Sequence, residues 1–183
     1  MGYPRLRDYV DDLNPAELVA VNLGSGRSES PVSIQLREIP FARIVNVEVF
    51  KPYFDYLGTV AFAAKATEHH QEEILSWMQR QEAKSVDVVF IIDVLEHFER
   101  RDALFLLFEA RMIARKRVII WLPIGNCVQA AIDGNYYQVH KSTWSKDDFL
   151  DADRAVFWAA REVHEQHPVD AGLIVYDTKG GGK

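Results

Sequence analysis

The sequence predicts an α/β three-layer sandwich built on a mostly parallel sheet. Short apolar runs alternate with helical stretches along the chain, a pattern that sets strands side by side and lays helices on both faces. The run Val86 to Asp93 is apolar almost throughout, as expected of a central strand buried on both sides. Two earlier runs close on glycines and on an acid, at the strand ends where open parallel sheets form their ligand crevice.

Taken in order, Leu18 to Leu23 reads as the first strand, ending abruptly at Gly24-Ser25-Gly26. A helix follows, because Ser30 can cap it and Pro31 is preorganised for its first position. Val32, Leu36 and Ile39 fall on one face of that helix, and Pro40 stops it. Ala42 to Val49 is the second strand, with a helical turn started by Pro52. Val60 to Ala66 is assigned to a third strand, and Thr67 to Glu82 to a helix with Ile74, Leu75 and Met78 inward. Phe98 to Ala114 is an amphipathic helix whose inward stripe is read as Leu104, Leu107, Phe108 and Met112. Arg117 to Leu122 is a strand closed by Pro123, followed by a long polar and aromatic segment from Ile124 to Trp144. Asp147 to Leu150 is a short helix capped by Ser145, and Ala155 to Val163 pairs with Gly172 to Asp177 as an antiparallel hairpin at the sheet edge.

The 183 residues fit one domain, with residues 1–17 as an extension and 178–183 as a frayed tail. The balance of 48% hydrophobic and 26% charged residues is that of a soluble globular chain. Cys127 is the sole cysteine and reads as a small buried filler; with no intrachain disulfide and no apolar leader, the expected compartment is the cytoplasm. No apolar run is long enough to cross a bilayer. Net charge is −6 with the two signs interspersed, so neither nucleic acid nor a membrane is expected as partner. The densest basic stretch, Arg111 to Arg117, sits at a helix end, where cations are favoured for structural reasons. Nothing in the composition sets an oligomeric state.

Three features converge on the sheet's carboxyl edge. Gly24 and Gly26 let backbone approach a ligand closely. Glu48 ends the next strand 22 positions later, where an acid accepts hydrogen bonds from ribose hydroxyls. Asp93-Val94-Leu95-Glu96-His97 follows the most buried strand and projects an acid and a histidine into the same crevice. A nicotinamide fingerprint needs a third glycine where this chain has Glu29, whose carboxylate would repel a pyrophosphate. A phosphate-binding loop is ruled out by the lack of Gly-Lys-Ser/Thr. A nucleoside without phosphate tolerates Glu29.

The strand-turn VNLGSG, the segment NVEVFKPYF and the stretch VDVVFIIDVLEHFERRDALFLLFEARMIARKRVIIWLP resemble the successive motifs of class I S-adenosylmethionine-dependent methyltransferases. Asp133 to Ser145 (DGNYYQVHKSTWS) is similar to a subgroup with a DGNPYQxHxSxWS-type loop, and the likeness runs from about Leu18 to Asp177. It implies a Rossmann-like fold with a seven-stranded sheet whose last strand is antiparallel. It further implies S-adenosylmethionine as cofactor, S-adenosylhomocysteine as product and a small-molecule methyl acceptor. In that scheme Gly24, Ser25 and Gly26 line the methionine end, Glu48 holds the ribose with Val49 beside it, and Asp93 and Val94 border the methionyl or adenine side. Asn22 stands where the family usually carries an acid, and can offer the cofactor a neutral hydrogen bond only. After the third strand the family carries an acid beside the adenine amino group; here the segment reads Lys65-Ala66-Thr67-Glu68, so that contact is missing or has shifted.

For the chemistry itself, His97 and His140 are the candidate bases, both in segments expected at the crevice mouth. His69, His70, His97, His140 and Glu96 have spacings that match no compact ligand motif, so no metal site is expected. His164 and His167 are read as surface residues. Tyr136, Tyr137 and Trp144 are read either as a lid or as loop anchors. Two other functions compete: a methyltransferase-like binding or scaffold protein without turnover, favoured by Asn22 and the Lys65-Ala66-Thr67 segment, and a nicotinamide oxidoreductase, disfavoured by Glu29.

Overall fold

The computed structural model describes residues 4–159 and 170–178. Apolar runs of β-branched residues give the strands β1 (Val19–Leu23), β2 (Arg43–Val47), β4 (Val86–Ile92) and β5 (Ala114–Ile124). With β3 (Thr67–His70), β6 (Arg154–Ala159) and β7 (Asp170–Asp177) they form one seven-stranded sheet in the order β3-β2-β1-β4-β5-β7-β6. The first five strands are parallel, and β7 runs antiparallel between β5 and β6. The expected hairpin is therefore present; residues 160–163, His164, His167 and the glycine tail lie outside the described residues.

All seven residues of β4 are buried, and its side chains alternate between two cores. On one face Val89 and Ile91 meet α3 (Ile74–Met78) and α4 (Arg100–Ile113). On the other, Val88, Phe90 and Ile92 meet Val32, Leu36 and Ile39 around α1 (Pro31–Arg37), together with Leu6, Val10 and Leu18 of the N-terminal segment. Ser30 caps α1 by accepting from Ser33 N at 3.2 Å, with Pro31 at the first position as expected. A further short helix, α2 (Lys51–Leu57), follows β2.

Two expectations are corrected. The third strand is Thr67–His70, not Val60 to Ala66, and only Ile74–Met78 of the following stretch is helical. This strand closes the sheet edge and is half exposed, so polar Thr-Glu-His-His serves where an interior strand would need an apolar run. In α4 the buried stripe is Ala103, Leu106, Leu107, Ala110 and Ile113, while Leu104, Phe108 and Met112 face outward. The helix carries two apolar faces; the one bearing two alanines allows the closer approach to the sheet.

The basic stretch is structural, as expected. Arg115 forks onto Asp87, Arg117 joins Asp12 and Asp177, and Arg111 pairs with Asp151. Among the described residues no helix is long and apolar enough to cross a membrane.

The segment after β5 is pinned at both ends. Gly125 N donates to Trp144 O at 2.8 Å. Trp144 is 1% exposed, stacks on Phe149 with ring centroids 5.5 Å apart, and lies beneath the Arg100 guanidinium at 3.9 Å. Trp144 is thus an anchor. Trp144→Ala is expected to lower unfolding free energy by about 3–5 kcal/mol in a denaturant titration, because a large cavity opens where two elements meet.

Candidate functional site

The carboxyl ends of β1, β2 and β4 open onto one cleft, lined by Gly24, Glu48, Val49, Glu73, Ile74, Asp93, Val94, His97 and the loop residues Tyr137 and Lys141 among others. A shallower recess beside it is lined by Gly24 to Ser30, Tyr53, Asp93 and Gln138. Of the residues singled out by sequence, Gly24, Ser25, Gly26, Glu48, Val49, Asp93, Val94 and His97 line one or both. His140 stands next to His97, with ring centroids 4.9 Å apart.

The glycine turn has a steric cause. Gly24 has φ +64°, and a Cβ there would come within 2.7 Å of Val94 Cγ2 and 3.2 Å of Ile74 Cδ1. Gly26, at φ +54°, has open space at the same place, so its requirement is conformational alone. The turn also aims Glu48. Glu48 Oε2 accepts from Gly26 N at 2.8 Å, and Oε1 accepts from Phe50 N at 2.8 Å. Glu48 is 6% exposed, and burial pushes its carboxyl above the usual range despite those amides. Ser25 Oγ is buried beside the recess without a partner.

Asp93 takes φ 50° at the end of β4, where its N–H still extends the sheet by donating to Trp121 O at 2.7 Å. Asp93 is exposed where it opens onto the cleft, and desolvation by the surrounding protein raises its pKa. Glu96 behind it is 2% exposed, and its carboxyl is held well above the usual range, by burial first and by the Asp93 charge second. Burial, aided by His140, lowers His97 to about 4, which keeps it neutral and weakly basic near pH 7.

Asn22 stands apart from this group. It is 2% exposed and donates through Nδ2 to Asn46 Oδ1 at 3.2 Å across the strand pair, in neither the cleft nor the recess. Glu73, by contrast, lines the cleft although sequence reading passed over it. It lies just beyond the true third strand; placing that strand at Thr67–His70 would have put an acid after it instead of Lys65-Ala66-Thr67. Glu29 flanks the recess and accepts from Tyr56 OH. The loop tip reaches the residue after the glycine turn, with Asp133 3.8 Å from Arg27. Tyr136 and Tyr137 are exposed.

No family model and no curated protein sequence matches the chain. Solved structures do. A SAM-dependent methyltransferase from Archaeoglobus fulgidus superposes with TM-score 0.63 at 14% identity, over 94% of this chain and 91% of that one. Magnesium protoporphyrin IX methyltransferase from Synechocystis PCC 6803, solved with bound SAH, gives 0.62 at 12% identity, over 92% and 80%. The [4+2]-cyclase SpnF gives 0.66 at 8% identity, over 97% and 82%. The chain has the Rossmann-like fold that class I S-adenosylmethionine-dependent methyltransferases share.

Proposed function

We propose that this chain transfers a methyl group from S-adenosylmethionine to a small-molecule acceptor. The observation that carries the reading is a cleft floored by Gly24 and edged by Glu48, Glu73 and Asp93, with Ile74 and Val94 as apolar wall. Three carboxylates suit a ligand with cationic sulfonium and ammonium groups and oppose a pyrophosphate. A carboxylate has about four lone-pair sites, and Glu48 commits one from each oxygen to main-chain amides. What remains matches two ribose hydroxyls. We assign Glu73, at the edge of the cleft, to the role of the family's acid beside the adenine amino group, and the buried Ser25 hydroxyl to the methionine end. When bound, S-adenosylmethionine supplies a methyl group on a positively charged sulfur, open to attack by an oriented nucleophile. Tyr137 and Lys141 border the same cleft and are assigned to the acceptor. Asn22, turned away toward Asn46, favours the second reading of a chain that binds without turnover.

Calorimetric titration tests the choice. Binding of S-adenosylmethionine and S-adenosylhomocysteine is expected, and binding of NAD alone would overturn it. Methylation of an acceptor separates turnover from mere binding.

Glu48→Ala should weaken S-adenosylmethionine by about 1.5–3 kcal/mol if its carboxylate accepts from the ribose. Because burial raises the folded pKa, Glu48 gains its proton at higher pH than an ordinary glutamate. Affinity should therefore fall as pH drops from 7 toward 5. Glu48→Gln, titrated across the same range, should bind weakly and keep only the part of that pH dependence that Asp93, raised to about 7 in the same cleft, contributes.

Gly24→Ala and Gly26→Ala both force a side chain into left-handed backbone, at about 1–2 kcal/mol each. Only Gly24→Ala also displaces Val94 and Ile74. It should lose more stability in urea titrations and more nucleoside affinity than Gly26→Ala; equal losses would contradict the packing role of position 24.

A further inference from the structure

The turn after β4 and the loop after β5 meet in a cluster that borders the cleft through His97 but makes none of the nucleoside contacts proposed above. Glu96, His97 and His140 each offer one ligand atom, and those atoms all lie within 4.8 Å of one another. Glu96 is 2% exposed, and its Oε2 has no hydrogen-bond partner. A buried carboxylate oxygen left in that state is costly, and calls for a cation or donor to meet it.

The two imidazoles are held in the form that ligates metals. His140 Nδ1 lies 2.7 Å from the Cys127 carbonyl oxygen, which can only accept, so Nδ1 carries the proton and the neutral ring keeps its lone pair on Nε2. His97 Nδ1 faces Val139 O in the same sense at 3.4 Å. A ring that donates one N–H to a main-chain carbonyl has its tautomer and orientation fixed for ligation through the other nitrogen. The third element is equally fixed. Lys141 N and Ser142 N donate to the Glu96 carbonyl at 2.7 and 3.1 Å, and Ser142 Oγ donates to Leu95 O at 3.2 Å. The residue after His140 is thereby tied to the main chain of Glu96 itself. A second carboxylate, Asp93, lies near enough for its charge to act on Glu96, and adds to the attraction for a cation.

We propose that Glu96, His97 and His140 bind one divalent metal ion. Two imidazole nitrogens with one carboxylate favour a first-row d-block ion, Zn²⁺, Fe²⁺ or Co²⁺ foremost and the harder Mn²⁺ after them, over Mg²⁺ or Ca²⁺, which prefer an all-oxygen shell. Three protein ligands leave coordination positions open. His97 lines the cleft, so the open side faces it and suits an oxygen donor, a hydroxyl or carboxylate, of a small molecule bound there. That last assignment rests on the proposed function; the metal site does not.

The test uses the untagged chain, stripped with a chelator and titrated by calorimetry with Zn²⁺, Mn²⁺ and Mg²⁺ separately, without nucleoside. One equivalent of Zn²⁺ or Mn²⁺ is expected to bind, at least about 10-fold more tightly than Mg²⁺. His140→Ala and Glu96→Gln should each weaken it by roughly 100-fold or more. Circular dichroism confirms that each variant is folded, and His140→Ala, on the loop, carries the test should Glu96→Gln fail to fold. Cys127→Ser should retain binding, because His140 uses the carbonyl of that residue and not its thiol. Absence of a stoichiometric site, binding untouched by His140→Ala, or loss of binding in Cys127→Ser would each overturn the assignment. Nucleoside affinity, measured apart from metal, keeps failure of this site distinct from failure of the methyl-transfer reading.

Discussion

β4 is buried along its whole length and contributes side chains to both cores. That double burial is the constraint on which the site depends. A strand packed from both sides cannot slip in register without moving half its side chains to the wrong core, so its carboxyl end is fixed in space. Asp93, Val94, Glu96 and His97 hang from that end. Because Asp93 N–H still bonds to β5 through Trp121 O, the sheet extends to the floor of the cleft.

The contact between Glu48 and Gly26 performs the equivalent task on the other wall. It joins the end of β2 to the turn after β1, so the glycine loop and the acid are positioned by each other. The desolvation of Glu48 is offset only in part by two amides at 2.8 Å. The cleft that results gathers carboxylates, in contrast to the opposite, amino end of β4 and β5, where Arg115 and the buried Arg117 are held in ion pairs.

Much of this was legible in the residues. Val86 to Ile92 announced a two-sided strand because both of its environments are apolar, and Ser30-Pro31 announced a helix start because capping is a local event. Glu48 and Asp93 were legible as strand-end acids once their strands were placed. The edge strand was not, since Thr67 to His70 meets solvent and carries no apolar signature; misplacing it hid Glu73. The outward face of α4 misled for the opposite reason: Leu104, Phe108 and Met112 repeat at helical spacing as convincingly as the stripe that is buried. The meeting of Glu96 with His140 was beyond any spacing rule, because it is made by main-chain hydrogen bonds between segments more than 40 positions apart.

The pinning of the long loop at Gly125 and Trp144 carries an evolutionary consequence. Between those anchors Tyr136 and Tyr137 are exposed and contribute little to either core. Substitutions there are cheap in folding free energy while altering what the cleft mouth presents. The architecture separates the part that must stay from the part that can diversify, so related chains can vary the cleft mouth through a handful of surface replacements.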